Sequence, residues 1–249
     1  MNLKKLMNRE GEKMSKFTLV TSCNGKQGKT ILAIEIAKIL AMKHKVLFVD
    51  MSKSTKSAAS YLGNDENIIY DFVDLMSGMC SGEEATIKYQ DDTYSFDLIP
   101  APRLKNKTFK DSKMFEKFFM IFSKSYDYII IDGIDLYQDD VYYDYDGLDK
   151  IVFITESKTE DLKKIDSCIQ KIGKENIENL LTVINKFSKT EMLKGRMYNQ
   201  KELEEMMRIN IIGDMGFNSD YESIEVMNNQ TGQILKDFKA IAAKIVEKL

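Results

Sequence analysis

A glycine-bearing loop between two apolar segments carries the residues of this chain best suited to binding an anion. Residues 17–21 (FTLVT) predict a strand and residues 31–40 (ILAIEIAKIL) predict a helix, with residues 23–30 (CNGKQGKT) between them. Glycines let such a loop turn tightly and aim several backbone N–H groups at one anion, and the helix N-terminus adds unsatisfied donors. The order strand, loop, Gly-Lys-Thr and helix predicts a phosphate-binding P-loop.

Two residues of this loop have side chains with distinct predicted roles. The Lys29 ammonium would reach the β- and γ-phosphates of a nucleotide, and the Thr30 hydroxyl would hold Mg²⁺. The usual first glycine of the motif is Cys23 in this chain. The alternative interpretation is a glycine-rich turn between a strand and a helix that binds nothing.

Two further apolar runs each end in an aspartate. Residues 45–50 (KVLFVD) end at Asp50, and residues 126–132 (YDYIIID) end at Asp132. Continuous apolar runs of this length are typical of buried parallel strands, and open α/β folds bind ligands at the carboxyl ends of such strands. Asp132 is therefore the candidate for the second carboxylate of a Mg²⁺ site. Each aspartate taken alone could instead cap a helix or a turn.

Strand and helix patterns alternate along the chain. This alternation predicts a parallel sheet with helices on both faces. The predicted strands lie near residues 16–22, 46–50, 95–99, 127–132, 149–155, 180–185 and 209–213. The predicted helices lie near residues 29–42, 66–78, 110–124, 158–173, 199–207 and 233–248.

Composition limits the class of protein. The 249 residues include 36 Lys and Arg and 39 Asp and Glu, giving a net charge of −3 that offers no bulk attraction to nucleic acid or anionic lipid. No apolar run approaches the ~20 residues that span a bilayer. The three cysteines are odd in number and form no CxxC motif, and the chain has one histidine, so we expect reduced thiols, no structural zinc site and a cytoplasmic protein.

The residues as a set resemble the MinD/ParA family of deviant Walker A P-loop ATPases, and most closely its MinD-like branch. The family's Lys-Gly-Gly-x-Gly-Lys-Thr falls on residues 24–30, and its Asp-x-Asp falls on residues 50–52. Residues 70–78, 98–101, 211–213 and 229–232 are also similar to MinD segments in the same order. The resemblance implies a three-layer α/β P-loop NTPase fold with a mainly parallel sheet, in one domain over residues 14–249 after an extension at residues 1–13.

The resemblance also implies ATP and Mg²⁺ as cofactors. Asn185 falls where the family places an adenine-binding Asn, and Asp132 falls on the Walker B position. The implied nucleotide-binding residues are Asn24, Gly25, Lys26, Gln27, Gly28, Lys29, Thr30 and Asn185. The implied Mg²⁺ shell is Thr30, Asp50 and Asp132.

Three departures from the family pattern bear on hydrolysis. The lysine that reaches across the family's dimer is replaced by Asn24, and Lys26 stands two residues on in place of a Gly. The second Asp of Asp-x-Asp is Ser52, which leaves Ser52 and Asp50 as weak candidates for a catalytic role because a hydroxyl cannot act as a carboxylate base. Residues 133–136 (GIDL) replace the family's Pro-containing switch.

The resemblance and these departures together predict a nucleotide-switched homodimer with weak or absent hydrolysis. It would position an unidentified protein partner at a cell-division, pilus, secretion or flagellar site, comparable to degenerate relatives of the TadZ type. Two alternatives remain: an active ATPase that cycles on membrane or DNA, and a structural relative that binds no nucleotide. No specific nucleic-acid binding is indicated. MinD carries a membrane-targeting helix beyond the point matching Leu249, so we expect membrane or polar recruitment through a partner rather than direct binding.

Two segments have open interpretations. Residues 1–13 present Leu3, Leu6 and Met7 beside Lys4 and Lys5, which suits a membrane or partner contact but also an unpacked extension. Residues 137–146 are rich in Tyr and Asp. They could add contact area to a dimer or form a solvated acidic loop.

Overall fold

The chain folds around one sheet with helices on both faces, as the alternation of elements predicts. The computed structural model describes residues 14–52, 56–102, 112–137, 145–228 and 231–249. Within these ranges the sheet has eight strands in the order β3-β4-β2-β5-β1-β6-β7-β8, and only the β3–β4 pair is antiparallel. The strands are β1 Lys16–Ser22, β2 Val46–Asp50, β3 Ile87–Gln90, β4 Ser95–Ile99, β5 Tyr128–Asp135, β6 Lys150–Thr155, β7 Leu180–Phe187 and β8 Ile211–Gly216.

The α-helices lie between the strands. In the same described ranges they are α1 Lys29–Ala41, α2 Ala58–Tyr61, α3 Phe72–Ser77, α4 Gly82–Ala85, α5 Ser112–Phe122, α6 Leu162–Ile172, α7 Lys189–Leu193, α8 Gln200–Met207 and α9 Lys236–Val246. Short 3₁₀ turns cover Asp65–Asn67, Tyr145–Gly147, Thr159–Asp161, Lys174–Asn179 and Ser219–Ser223. In the part of the chain that the structure describes, no helix has the length and apolarity needed to cross a bilayer.

The sheet separates two apolar layers. Along β1, Phe17 and Leu19 face one layer and Val20 faces the other, as the two-residue period of a strand requires. The first layer packs the phenylalanines of α5 and the apolar side of α6 against the sheet. The second layer packs α1 and α9 against it. The three-layer architecture follows from these two buried faces.

The strand register brings the predicted acidic residues to one edge. In the parallel pairings, Val20 and Asp50 both lie opposite Asp132, so β1 and β2 reach the level of Asp132 at the same edge of the sheet. The P-loop leaves β1 at this edge. β5 continues three residues past Asp132, and after an irregularity in the register its last residue, Asp135, lies opposite Ser22. The sequence prediction ended this strand at residue 132 and was wrong on its length.

Other elements also differ from the sequence prediction. The antiparallel strand β3 was not predicted, and the helix predicted over residues 66–78 begins only at Phe72. Asp71 fixes that start because its carboxylate accepts N–H groups of Val73 at 2.9 Å and Asp74 at 3.1 Å in a capping box. The predicted extension at residues 1–13 and most of the Tyr-rich segment 137–146 lie outside the described residues.

Candidate functional site

The loop after β1 has the strained backbone expected of an anion-binding turn. Gly28 precedes α1 with φ of 87°, and Lys26 adopts φ of 58°, a left-handed conformation that costs a non-glycine residue about 1–2 kcal/mol. Local polar contacts hold the turn. The Ser22 hydroxyl donates to the Asn24 carbonyl at 2.7 Å, and the Asn24 N–H donates to the side-chain oxygen of Gln27 at 3.1 Å. Lys26 is therefore held in a conformation that a glycine would adopt without cost.

Cys23 replaces the first glycine of the motif without backbone strain. Its side chain is fully buried in the core, where the Cys168 thiol lies 3.7 Å from the Cys23 sulfur. Cys23 is not among the described non-glycine residues with positive φ, which are Lys26, Lys186 and Arg208. A glycine is consequently not required at position 23.

Lys29 and Thr30 begin α1 with their side chains paired to two carboxylates of β5. The Thr30 hydroxyl donates to Asp132 at 2.6 Å. The Lys29 ammonium forms an ion pair with Asp135, which also accepts a hydrogen bond from the Ser22 hydroxyl at 3.0 Å. The loop, the start of α1 and the end of β5 therefore form one polar cluster.

Asp50 and Asp132 are fully buried and differ in their partners. Asp50 accepts the backbone N–H groups of Ser52 at 2.8 Å and Ala58 at 2.7 Å, one on each oxygen. Asp132 receives Thr30 on one oxygen, and its Oδ1 has no hydrogen-bond partner among the described residues. Burial, reinforced by the neighbouring Asp50 carboxyl, raises the pKa of Asp132 to about 8. Burial likewise raises the pKa of Asp50.

The oxygen atoms of Thr30 and Asp132 suit a Mg²⁺ ion whose remaining ligands are phosphate and water. Mg²⁺ prefers oxygen ligands and usually keeps water while sharing one or two protein side chains with substrate phosphates. The Thr30 hydroxyl and the unpartnered Oδ1 of Asp132 suit that pattern, whereas Asp50 already uses both oxygens on backbone donors. In the described part of the chain, no cluster of three or more His, Cys, Asp or Glu residues could hold a metal by itself.

Asn185 joins the loop to the opposite side of the site. Its side-chain amide donates to the Gln27 carbonyl at 2.8 Å, and its side-chain oxygen accepts the Lys186 N–H at 2.7 Å. The Phe238 ring of α9 packs so closely on Gly28 that a Cβ at Gly28 would lie 2.8 Å from the ring. A side chain at this position would crowd the ring and would have to adopt a positive φ, so glycine is favoured there.

Most of the P-loop residues, together with Asp135, Asn185 and Phe238, line a cavity of about 860 Å³ that has two unlike sides. We call residues 25–30 with Asp132 and Asp135 the P-loop side. The aromatic side comprises Asn185, Lys186, Phe217, Tyr221 and Phe238. Tyr221 stacks edge-on against Phe238 with ring centroids 5.0 Å apart, and Phe217 is 62% exposed.

The structure brings most of the predicted site residues together. All of the predicted P-loop residues except Asn24 line the cavity, together with Ser52 and Asn185, and the fully buried Asp132 is joined to them through Thr30. Several lining residues were not predicted. Asp135 could have been suspected from its place three residues after Asp132, but Lys56, Tyr61, Phe217 and Tyr221 carry no sequence signal of their own.

Comparisons of the sequence and of the fold with known proteins lead to the same family. Residues 18–229 match the family model of the CobQ/CobB/MinD/ParA nucleotide binding domain. The septum site-determining protein MinD of Bacillus subtilis is 27% identical over 222 residues, covering 87% of this chain and 81% of that protein. In solved structures, the MinC:MinD cell division complex of Aquifex aeolicus gives a TM-score of 0.74 at 20% identity and covers 94% of this chain and 95% of the matched chain. MinD of Pyrococcus horikoshii, complexed with Mg-ADP, gives 0.72 at 16% identity and covers 94% and 96%.

Proposed function

Because the chain belongs to the CobQ/CobB/MinD/ParA nucleotide binding domain family, we propose that it binds Mg²⁺·ATP in this cavity and acts as a nucleotide-dependent dimeric switch that positions a partner protein. The observation that carries the proposal is the cluster at the start of α1, where, after Gly28, Lys29 pairs with Asp135 and Thr30 donates to Asp132. Lys29 would bind the β- and γ-phosphates, and Thr30 with Asp132 would hold Mg²⁺. The name of the Bacillus subtilis relative, a septum site-determining protein, supports a role in placing a division site.

The aromatic side supports adenine as the base. Phe217 and Tyr221 offer apolar ring surface, and the Asn185 amide lies at the junction with the P-loop. Asn185 is where the family places its adenine-binding Asn, and no Asn/Thr-Lys-x-Asp motif for guanine is evident in the sequence. We therefore infer a preference for ATP over GTP.

Slow turnover follows from the residue at position 52. The family orients the attacking water with an aspartate there, whereas the Ser52 hydroxyl cannot act as a carboxylate base. Slow hydrolysis would prolong the ATP-bound state and with it any conformation that ATP favours. This is the behaviour of a positioning switch rather than of a rapidly cycling enzyme.

The dimer interface would lack one charge-assisted bond. Asn24 cannot supply the cation that the family lysine places across the interface, a class of bond worth about 1.5–3 kcal/mol. Lys26 is exposed and lines the cavity two residues away, so it is the candidate replacement. We expect an ATP-favoured homodimer that is weaker than those of relatives with the lysine.

One set of measurements on the full chain tests the proposal. Titration should show binding of Mg²⁺·ATP in preference to Mg²⁺·GTP, light scattering should show a mass increase towards a dimer only with ATP, and turnover should stay far below about 1 s⁻¹. Ser52→Asp should raise turnover if water positioning is the only defect. A mass that stays monomeric at saturating ATP and tens of micromolar protein would refute the dimeric switch. Turnover near that rate in the wild type would instead indicate a cycling ATPase.

A further inference from the structure

The P-loop lysine already has an ionic partner within the chain. Lys29 is buried, and its ammonium pairs with the carboxylate of Asp135, the two side chains being 10% and 20% exposed. A buried charge needs a partner, because removing it from water without one is costly. In a P-loop the same ammonium is the group that contacts the β- and γ-phosphates. Asp135 therefore satisfies the cation that a polyphosphate would use.

The backbone holds Asp135 in this position. The N–H of Leu136 donates to the Ser22 carbonyl at 2.8 Å, and the N–H of Tyr137 donates to the Cys23 carbonyl at 3.2 Å. The buried Thr21 hydroxyl donates to the Ile134 carbonyl at 2.7 Å. These bonds tie the end of β5 to the residues that enter the P-loop. Asp135 is thus placed by the sheet rather than by a free loop.

The carboxylate also lies against the loop itself. Its Oδ1 accepts the Ser22 hydroxyl at 3.0 Å, and its Oδ2 lies 3.1 Å from the point where a Cβ at Gly25 would stand. Asp135 consequently pairs with the lysine and lies against the glycine-bearing turn at once.

We propose that Asp135 is an internal anion that competes with nucleotide phosphates for Lys29 and thereby sets the affinity of the site. The inference rests on the proposed nucleotide binding and deepens it. Binding a polyphosphate requires Lys29 to exchange a carboxylate for phosphate oxygens, and it leaves the Asp135 charge beside those oxygens. Both effects oppose binding.

The test compares the wild type with Asp135→Asn, which keeps the shape of the side chain and removes its charge. Affinities are measured by calorimetry for Mg²⁺·ATP, Mg²⁺·ADP, inorganic tripolyphosphate and adenosine. We expect Asp135→Asn to bind the three phosphate ligands about 10- to 100-fold more tightly, the range expected for hydrogen bonds to charged groups. Adenosine, which has no phosphate, should bind both proteins equally.

The matched control is Asp166→Asn, which removes one negative charge from an exposed position on α6, where the Asp166 carboxylate accepts a hydrogen bond from the Gln170 side chain at 2.7 Å. It should leave all four affinities unchanged. Asp135→Ala serves as a second variant, and thermal melting verifies that each variant folds.

The outcomes separate the two proposals. Equal or weaker phosphate binding in folded Asp135→Asn and Asp135→Ala would overturn the internal-anion inference while ATP binding stands. A gain that adenosine shares would also overturn it, because the effect would then not act through the phosphates. Absence of nucleotide binding in every variant would refute the proposed function, and the inference with it.

Discussion

On the P-loop side of the cavity, polar side chains already pair with one another, whereas on the aromatic side ring surface lies open to solvent. Lys29 pairs with Asp135 and Thr30 with Asp132, while Phe217 is 62% exposed. A ligand on the P-loop side must exchange existing bonds for new ones, whereas on the aromatic side it covers ring surface such as that of Phe217 and meets one paired amide, that of Asn185. Substitutions on the P-loop side should therefore change affinity most, with signs that depend on which internal partner is lost.

The largest expected effect is the loss of the P-loop cation. Lys29→Ala should abolish measurable Mg²⁺·ATP binding, because it removes the group that contacts the phosphates and leaves Asp135 as an unpaired anion in the cavity. Calorimetry measures this, with Lys239→Ala, an exposed lysine of α9, as the control of equal charge change. Unchanged ATP affinity in Lys29→Ala would contradict the P-loop assignment.

The second largest expected effect is a pH dependence of stability that comes from the buried carboxylates. With its pKa raised to about 8, Asp132 stays protonated in the folded protein while the same group ionises in the unfolded chain near pH 4. The folded state then binds more protons between these values, so the free energy of unfolding of the nucleotide-free protein should fall as pH rises from about 4 to 8. Asp132→Asn cannot ionise and should lose part of this slope in thermal melts.

Asp166→Asn again provides the control and should keep the full slope. Asp50, whose pKa is also raised by burial, should account for slope that remains in Asp132→Asn. Identical pH profiles for Asp132→Asn and the wild type would show that Asp132 is ionised in the folded protein, contrary to its environment.

The third expected effect is a loss of stability at Gly28, where the P-loop side meets Phe238 of the aromatic side. Gly28→Ala should lower the free energy of unfolding by about 1–2 kcal/mol through its positive φ and by about 1–3 kcal/mol more through the contact with Phe238. Gly195→Ala isolates the first contribution, because Gly195 has φ of 71° and no atom within 4 Å of an added Cβ. Denaturant unfolding compares the two variants. Equal losses would mean that the Phe238 ring moves aside without cost.

The smallest effect should come from the aromatic side. Asn185→Ala removes the hydrogen bond to the Gln27 carbonyl and the proposed adenine contact, so ATP should bind about tenfold more weakly and lose its advantage over GTP. Tripolyphosphate should bind as before. Asn176→Ala, which removes an equally buried Asn that donates to the Ile172 carbonyl at 2.8 Å, controls for stability alone. A parallel loss of tripolyphosphate affinity would show that Asn185 acts by holding the loop.

Sequence patterns determined the local features of the site. The strand, glycine-bearing loop and helix from β1 to α1 are contiguous, so residue type alone predicted a P-loop with Lys29 and Thr30 at the helix start. The positions of Asp50 and Asp132 followed from two apolar runs that had to be buried in parallel. The three-layer fold and the family followed from the order of such segments.

Tertiary structure alone decided the long-range partners. The pairing of Lys29 with Asp135 joins residues 106 positions apart, and it depends on β5 extending past Asp132 alongside β1. The aromatic side likewise collects residues from β7, from the segment after β8 and from α9, and of these the sequence marked only Asn185, through the family resemblance. The limit is physical: sequence periodicity shows which residues are buried and which turn, but contacts between distant segments depend on strand length and register, which only the packed sheet sets.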